Sequence, residues 1–519
     1  MKRLPSLTNI SLAGLSAALL ILAFPDIEAW FLAWFALVPL MRAVEREDSV
    51  ARSFLLGWMF GTIFFFGTCY WLTYAPIHYA DIPWPIAYLL ILIACIGAGF
   101  FPAVFTGILS YLLRRLGVWA LLAAPFVWVC TEFLRYWVTG NNWNALGYSQ
   151  AFDTFLLPAS RLGGVLLISW ACAALSAYAL FAFDRTRKGH YRAAFVPVTL
   201  ILLVFGAIRS TDRITGVEYK RRVEAKIIAL QPNVPMSGLN YLKWKELRQR
   251  QFDTAEAEVR KLPAGERPPV TVILPESPMN FAYNDDREFQ EYVREFTTRN
   301  NVSLIFNSAE PDPTNGKYFN SAMMIGAQGR PIAQYDKIYL LPFGEAVPVP
   351  FESIVPAFVG NFSYGREYDL LPFGDAKAGV MICFESHFGQ LGREYVGSGA
   401  DALVEMTNDG YLGPTPVLRQ HLANAVFRAV ETDRPVLRVT NVGVTARITE
   451  RGEVMDPAPA YQEDSRIWTI SKSDGSQTFY VRYGDWFAWL CSIVTVMLSG
   501  IASRRRPAGE EEPAGIRDL

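Results

Sequence analysis

The chain has 519 residues, of which 51% are hydrophobic, 14% aromatic and only 19% charged. That mixture is too apolar for an ordinary soluble protein and points to a membrane protein with a soluble part. A formal net charge of −1 argues against nucleic acid as a partner. The sequence carries no internal repeat, Walker motif or zinc-type cysteine cluster.

Apolar runs dominate residues 8–208. Membrane spans are predicted near 11–24, 30–41, 54–74, 86–113, 118–136, 162–183 and 193–208, with a last one at 486–501. The second is the weakest, because crossing the hydrocarbon core takes roughly 20 residues. Eight spans put Lys2, Arg3, Arg42, Arg46, Arg52, Arg114, Arg115, Arg185, Arg187, Lys188, Arg192 and Arg504–Arg506 on one face. Loops 25–29 and 75–85 on the other face carry no Lys or Arg, and 137–161 carries only Arg161. By the positive-inside rule the basic face is cytoplasmic and residues 209–485 lie outside; losing one span would spoil this agreement. The N-terminus resembles a signal peptide but lacks a small-residue cleavage site, so it reads as an uncleaved anchor. Glu132 and Arg135, near one span end, read as a helix-end ion pair, with a lipid headgroup site as the alternative.

The predicted division is a membrane domain of about seven helices at 1–208, an extracytoplasmic domain at 209–485, a final transmembrane helix at 486–502 and a cytoplasmic tail at 503–519. Between 209 and 485, strands are expected at 225–231, 270–274, 303–307, 321–325, 378–382, 402–406 and 436–440, and helices at 244–261 and 416–432. A turn signal at 327–330 sits inside a hairpin. This is an α/β pattern, which places its sites at strand ends.

Cys383 is the only cysteine of that region, at the end of the apolar run Gly379–Ile382. One cysteine makes no intramolecular disulfide, and a free thiol outside the cytoplasm is a liability that a reactive role explains. Glu276 ends another strand and could take the thiol proton; Lys337 follows Tyr335-Asp336 and could favour the thiolate and the oxyanion, together with a backbone N–H near the cysteine. Glu345 and Glu385 could orient the lysine. Each motif has a bland reading: a small buried hydrophobe for the cysteine, a turn for Pro275-Glu276, a solvated face for the lysine. His387 and His421 are the region's histidines, and their spacing matches no metal-ligand pattern, so neither metal nor other cofactor is expected. The apolar stretch 342–364, with Phe343, Phe351, Phe358 and Phe362, reads as a lid or membrane-dipping arm, or as a buried loop.

The order Glu276, Lys337, Cys383-x-Glu385 resembles the Glu-Lys-Cys triad of the carbon–nitrogen hydrolase (nitrilase) superfamily. Leu230–Pro235 with Trp244, Leu341–Pro348, Thr407–Asp409, Arg428–Pro435, Thr440–Thr445 and the membrane motif Asn142–Gln150 narrow the likeness to its membrane-embedded branch, the apolipoprotein N-acyltransferase family. The resemblance implies a multi-span α-helical membrane domain plus an α/β nitrilase-like αββα sandwich in the periplasm, in a bacterial inner membrane. It implies transfer of an acyl chain from a phospholipid donor, through a cysteine thioester, to the α-amine of a diacylglyceryl-prolipoprotein. On that carry-over Glu276 is the base, Lys337 the oxyanion stabiliser and Cys383 the nucleophile, with Glu345, Glu385 and Trp244 supporting. Phe384, Tyr411, Asn408, Phe343 and Phe358 are the substrate-binding expectations. The chain departs from the family in Phe384, where a tyrosine is common, and in Asn408–Gly413, where the family has Asn-Asp-x-Trp-Phe-Gly. A membrane-tethered amidase that passes its acyl group to water, a non-catalytic scaffold and a transporter are the competing readings. The spans and the apolar loop argue against the first, the intact triad against the second, and the few intramembrane charges without a repeat against the third.

Overall fold

A computed structural model describes residues 4–153, 155–215, 222–263, 268–279, 281–342, 344–347 and 362–505. They fall into two units, Met1–Gly216 with Asp485–Leu519, and Val217–Gly484. The apolar runs of the first unit become helices: α1 (Leu7–Ala23), α2 (Val38–Arg46), α3 (Val50–Cys69), α4 (Tyr74–Tyr79), α5 (Trp84–Leu116), α6 (Ala124–Thr139), α7 (Ser160–Arg187) and α8 (Tyr191–Thr215), with a last helix at Trp486–Ser503. Among the described residues, four segments are long and apolar enough to cross a membrane by themselves: Val50–Tyr79, Trp84–Leu122, Leu157–Arg187 and Trp486–Ser503.

The expected span at 30–41 departs from this pattern. It is a 3-10 turn, Trp30–Trp34, followed by the nine-residue α2, and each is too short to cross alone. Side-chain anchoring accompanies the break, since Trp34 Nε1 donates to Gln150 Oε1 at 2.9 Å. Small residues let α3 and α5 approach closely: a Cβ on Gly61 would stand 2.8 Å from Gly99 Cα and from Pro102 Cγ. Glu132 and Arg135 do not pair with each other. Glu132 Oε1 accepts the Leu146 N–H at 2.7 Å, and Arg135 donates to Trp143 O and Asn142 Oδ1, both at 2.9 Å. The two charges thus pin the Asn142–Gln150 loop, whose backbone groups would otherwise lack partners.

The second unit alternates strand and helix. Its strands are β1 (Val223–Gln231), β2 (Val270–Ile273), β3 (Ser303–Pro311), β4 (Tyr318–Ile325), β5 (Pro331–Asp336), β6 (Phe362–Ser363), β7 (Leu370–Phe373), β8 (Ala376–Ile382), β9 (Ala402–Thr407), β10 (Val436–Thr440), β11 (Ala446–Ile448), β12 (Val454–Met455) and β13 (Asp464–Ser471). One sheet runs β13-β1-β2-β3-β4-β5, with β6 on β4; the other runs β12-β11-β10-β9-β8-β7. The central strands β1–β3 and β8–β10 are parallel, which calls for crossover helices. These are α9 (Tyr241–Lys261) and α10 (Arg287–Asn300) against the first sheet, and α11 (Gly389–Gly397) and α12 (Val417–Thr432) against the second. A short α13 (Phe479–Tyr483) closes the unit.

Local chemistry sets these bounds. Asn240 and Asp286 cap α9 and α10 by accepting from the N–H groups of Lys243 and Phe289. Beneath them Phe281, Phe289 and Phe306 pack with centroids 4.4 and 5.3 Å apart. All seven expected strands are present, and both expected helices. The sequence reading missed α10, a polar helix, the short α11, the two-residue edge strand β12 and the eight-residue edge strand β13.

Candidate active site

Three strand ends converge. Glu276 follows β2, Lys337 follows β5, and Cys383 follows β8. Cys383 opens a 3-10 turn, Cys383–His387, in the left-handed region at φ 52°. A side chain held there at a strand-to-helix bend is strained, and surrounding contacts must impose it. Glu276, Lys337 and Thr407 lie close enough to the thiol for each to act on its proton affinity.

Lys337 is almost fully buried, with Nζ 2.8 Å from Glu345 and 3.8 Å from Glu276 Oε1. Asn320, on β4, joins the two carboxylates: its Nδ2 donates to Glu345 Oε1 at 2.6 Å and to Glu276 Oε1 at 3.1 Å. Asn307 Nδ2 donates to Asn320 Oδ1 at 2.6 Å and fixes which way the amide faces. The Asn408 N–H donates to Glu276 Oε2 at 3.2 Å. Glu345 Oε2 also accepts the Leu341 N–H at 2.8 Å, so Glu345 links the lysine to the backbone of the segment that follows it.

Glu385 acts differently from the expectation. It holds three backbone N–H groups and one phenol: Oε1 accepts Tyr335 OH, Ile338 N and Tyr339 N at 2.8, 2.7 and 3.0 Å, and Oε2 accepts Ile382 N at 2.8 Å. It therefore ties the turn after β8 to the segment carrying Lys337, with no direct bond to the ammonium. Burial pushes its carboxyl up to about 7, opposed by Lys337 and those donors.

The electrostatics follow from burial. Burial raises the Cys383 thiol well above its ordinary value, Glu276 pushes the same way, and Lys337 opposes. Burial likewise raises Glu276, against Lys337 and with Glu345. Burial also works against the Lys337 ammonium, yet Glu345 and then Glu276 hold it far above the ordinary lysine range. The resting site is thus a neutral thiol, a fixed cation and a carboxylate whose proton affinity is raised towards that of a useful base.

The remaining expected residues are spread out. Trp244 packs edge-on against Phe281, with centroids 5.6 Å apart, and its Nε1 donates to Met279 O at 2.9 Å; it braces the segment after Glu276. Phe384 is 8% exposed and packs on His387 and Phe388, while Tyr411 is 47% exposed. Phe343, Phe351 and Phe358, with most of the 342–364 stretch, lie outside the described residues.

Sequence reasoning missed Asn320 and a second buried group. An asparagine inside a strand was the available signal, since strands disfavour it. The second group is His421 on α12, Glu405 on β9, Asp409 after β9 and Arg438 on β10, all buried. His421 Nδ1 is 2.7 Å from Asp409 Oδ1, and its Nε2 is 3.0 Å from the Cys383 carbonyl and 3.1 Å from Glu405 Oε1. Arg438 pairs with both carboxylates. Among the described residues no cluster of three or more His, Cys, Asp or Glu is arranged to hold a metal.

This double-sheet domain with a cysteine at a strand-end bend matches the carbon-nitrogen hydrolase family profile over residues 224–479. It defines the class: a carbon-nitrogen hydrolase domain joined to a helical, membrane-spanning unit. The profile of the apolipoprotein N-acyltransferase N-terminal domain matches residues 16–178. The apolipoprotein N-acyltransferase of Geobacter metallireducens is 31% identical over 509 residues, 95% of this chain and 95% of that protein. That of Thermotoga maritima is 30% identical over 530 residues, 99% of this chain and 98% of that protein. Among solved structures, Saccharomyces cerevisiae Nit3, of the nitrilase superfamily, aligns at 15% identity with a TM-score of 0.37, over 49% of this chain and 93% of that one. The chain belongs to the apolipoprotein N-acyltransferase family, and it is a membrane protein.

Proposed function

We propose that this chain transfers a fatty acyl group from a membrane phospholipid to the α-amine of an S-diacylglyceryl-cysteine at a lipoprotein N-terminus, with Cys383 as nucleophile, Glu276 as base and Lys337 as oxyanion stabiliser. The observation that carries this is the meeting of a buried cation, a carboxylate of raised proton affinity and a strand-end thiol in one site. Family membership over nearly the whole length, helical unit included, supports a lipid substrate over a soluble amide.

In the first half-reaction Sγ bonds to the ester carbonyl carbon as Glu276 takes the thiol proton. The oxyanion forms beside Lys337 and a backbone N–H at the bend. The C–O bond then breaks, the leaving glycerol oxygen takes the proton from Glu276, and a thioester and lysophospholipid result. In the second half the lipoprotein amine bonds to the same carbon, Glu276 takes an amine proton, the C–S bond breaks, and the proton returns to sulfur. Asn320 and Glu345 keep the base and the cation in place throughout. The site works in an inner membrane with Val217–Gly484 on the periplasmic side, a placement supported by the basic residues of the cytoplasmic loops.

Intact-protein mass spectrometry after incubation with phospholipid tests this. A fatty-acyl mass gain on wild type, absent from Cys383→Ala and discharged by a diacylated lipopeptide, is expected. A folded protein with neither adduct nor triacylated peptide would overturn the reading in favour of an amidase or a binding role.

A further inference from the structure

The group around His421 has no part in the acyl-transfer steps above, yet it touches the nucleophile's backbone. Both ring nitrogens of His421 face acceptors: Asp409 at Nδ1, and the Cys383 carbonyl with Glu405 at Nε2. A neutral imidazole carries one N–H and leaves one of these contacts as lone pair against lone pair; the imidazolium satisfies both. The charges agree, because two buried carboxylates, Glu405 and Asp409, then meet two cations, His421 and Arg438. Burial and Arg438 lower the ring's proton affinity, Asp409 and Glu405 raise it, and together they leave it at about 9.

The Cys383 carbonyl belongs to the same planar peptide group as the N–H of the next residue, Phe384. A donor that fixes the carbonyl fixes where that N–H points. A cationic donor also polarises the amide and strengthens its N–H as a donor. Cys383 sits at φ 52°, where the backbone needs such a restraint.

We propose that His421, clamped by Asp409 and Glu405, is a positioning residue: it holds the peptide plane after Cys383 so that the N–H on its far edge faces the oxyanion of the acyl-transfer reaction. The inference rests on the proposed nucleophilic role of Cys383.

The test compares two reactions of that thiol in the full-length protein in detergent. Acylation by a long-chain p-nitrophenyl ester develops an oxyanion; alkylation by iodoacetamide, in which sulfur displaces iodide, develops none. For His421→Ala the acylation rate is expected to fall about 10- to 100-fold, somewhat less than removal of an oxyanion donor costs. Alkylation at Cys383 and the KM for the ester should stay within about threefold of wild type. His421→Gln, which restores a neutral N–H donor, should recover part of the loss. Wild-type acylation in His421→Ala, or equal slowing of both reactions, would overturn the proposal. If neither variant folds, the wild-type ratio of acylation to alkylation is measured against pH. It should fall as pH rises through about 9, where the imidazolium becomes neutral and the Cys383 carbonyl loses its cationic donor; a constant ratio overturns the proposal. A wild type that is alkylated but never acylated removes the nucleophile reading and this inference together, whereas normal wild-type acylation with an indifferent His421 removes this inference alone.

Discussion

On the proposed mechanism, Glu276 has to take a proton from a thiol that burial has made a weaker acid. A base suited to that task needs a proton affinity above that of an ordinary glutamate, and burial supplies it. The sign of the pH effect follows. Glu276 acts as base only when ionised, so the acid limb of Cys383 acylation should fall off at a pH above the ordinary glutamate range. In Glu276→Gln that limb should vanish and the rate drop by about 10²- to 10⁴-fold; single-turnover acylation against pH checks both. Asn320 was invisible as a site residue because its role lies in two contacts, to Glu276 and Glu345, that the chain makes 44 and 25 residues away. Asn320→Ala should slow acylation about tenfold or more, because it frees a base that must be held in place, and lower the Tm somewhat through the lost bonds to Asn307, Glu276 and Glu345; a wild-type rate would remove that role.

Among the elements, the strand-end turns matter most. Glu385 accepts four donors from two separate segments and thereby fixes the Cys383 turn relative to Lys337. Glu385→Gln replaces one acceptor oxygen by an amide that faces an N–H, so buried donors lose their partner. The expected cost is about 1–3 kcal/mol, read as a lowered Tm in detergent, with slower acylation. An unchanged Tm would mean that the turn is held elsewhere. In the helical unit, α3 and α5 meet through Gly57, Gly61 and Gly99. Gly61→Leu would drive a side chain into Gly99 and Pro102, an overpacking that costs about 1–3 kcal/mol or more. Yield and thermal unfolding of this variant against Gly14→Ala, which meets nothing within 4 Å, check it.

On the scale of the whole molecule, an α/β unit of mixed sheets interrupts a helical one, entering after residue 216 and leaving before residue 485. Its expected position outside the cytoplasm is tested by a cysteine at Pro313, on an exposed turn between β3 and β4. In spheroplasts of cells expressing Pro313→Cys, a membrane-impermeant maleimide should label the protein without lysis, and wild type far less. Labelling only after lysis would reverse the topology.

Hydrophobic period and length are local properties, so the sequence by itself determined the helical unit, the α/β alternation and the strand ends carrying Glu276, Lys337 and Cys383. The family-bearing motifs were legible for the same reason, as each is a short contiguous run. Only the tertiary structure decided that 30–41 breaks into two short helices, that Glu132 and Arg135 grip a loop, and that Glu385 binds backbone. It alone brought Asn320 and His421 to the site. Those facts depend on which distant donors meet which acceptors once water is excluded, and that pairing is set by packing between segments far apart in the chain.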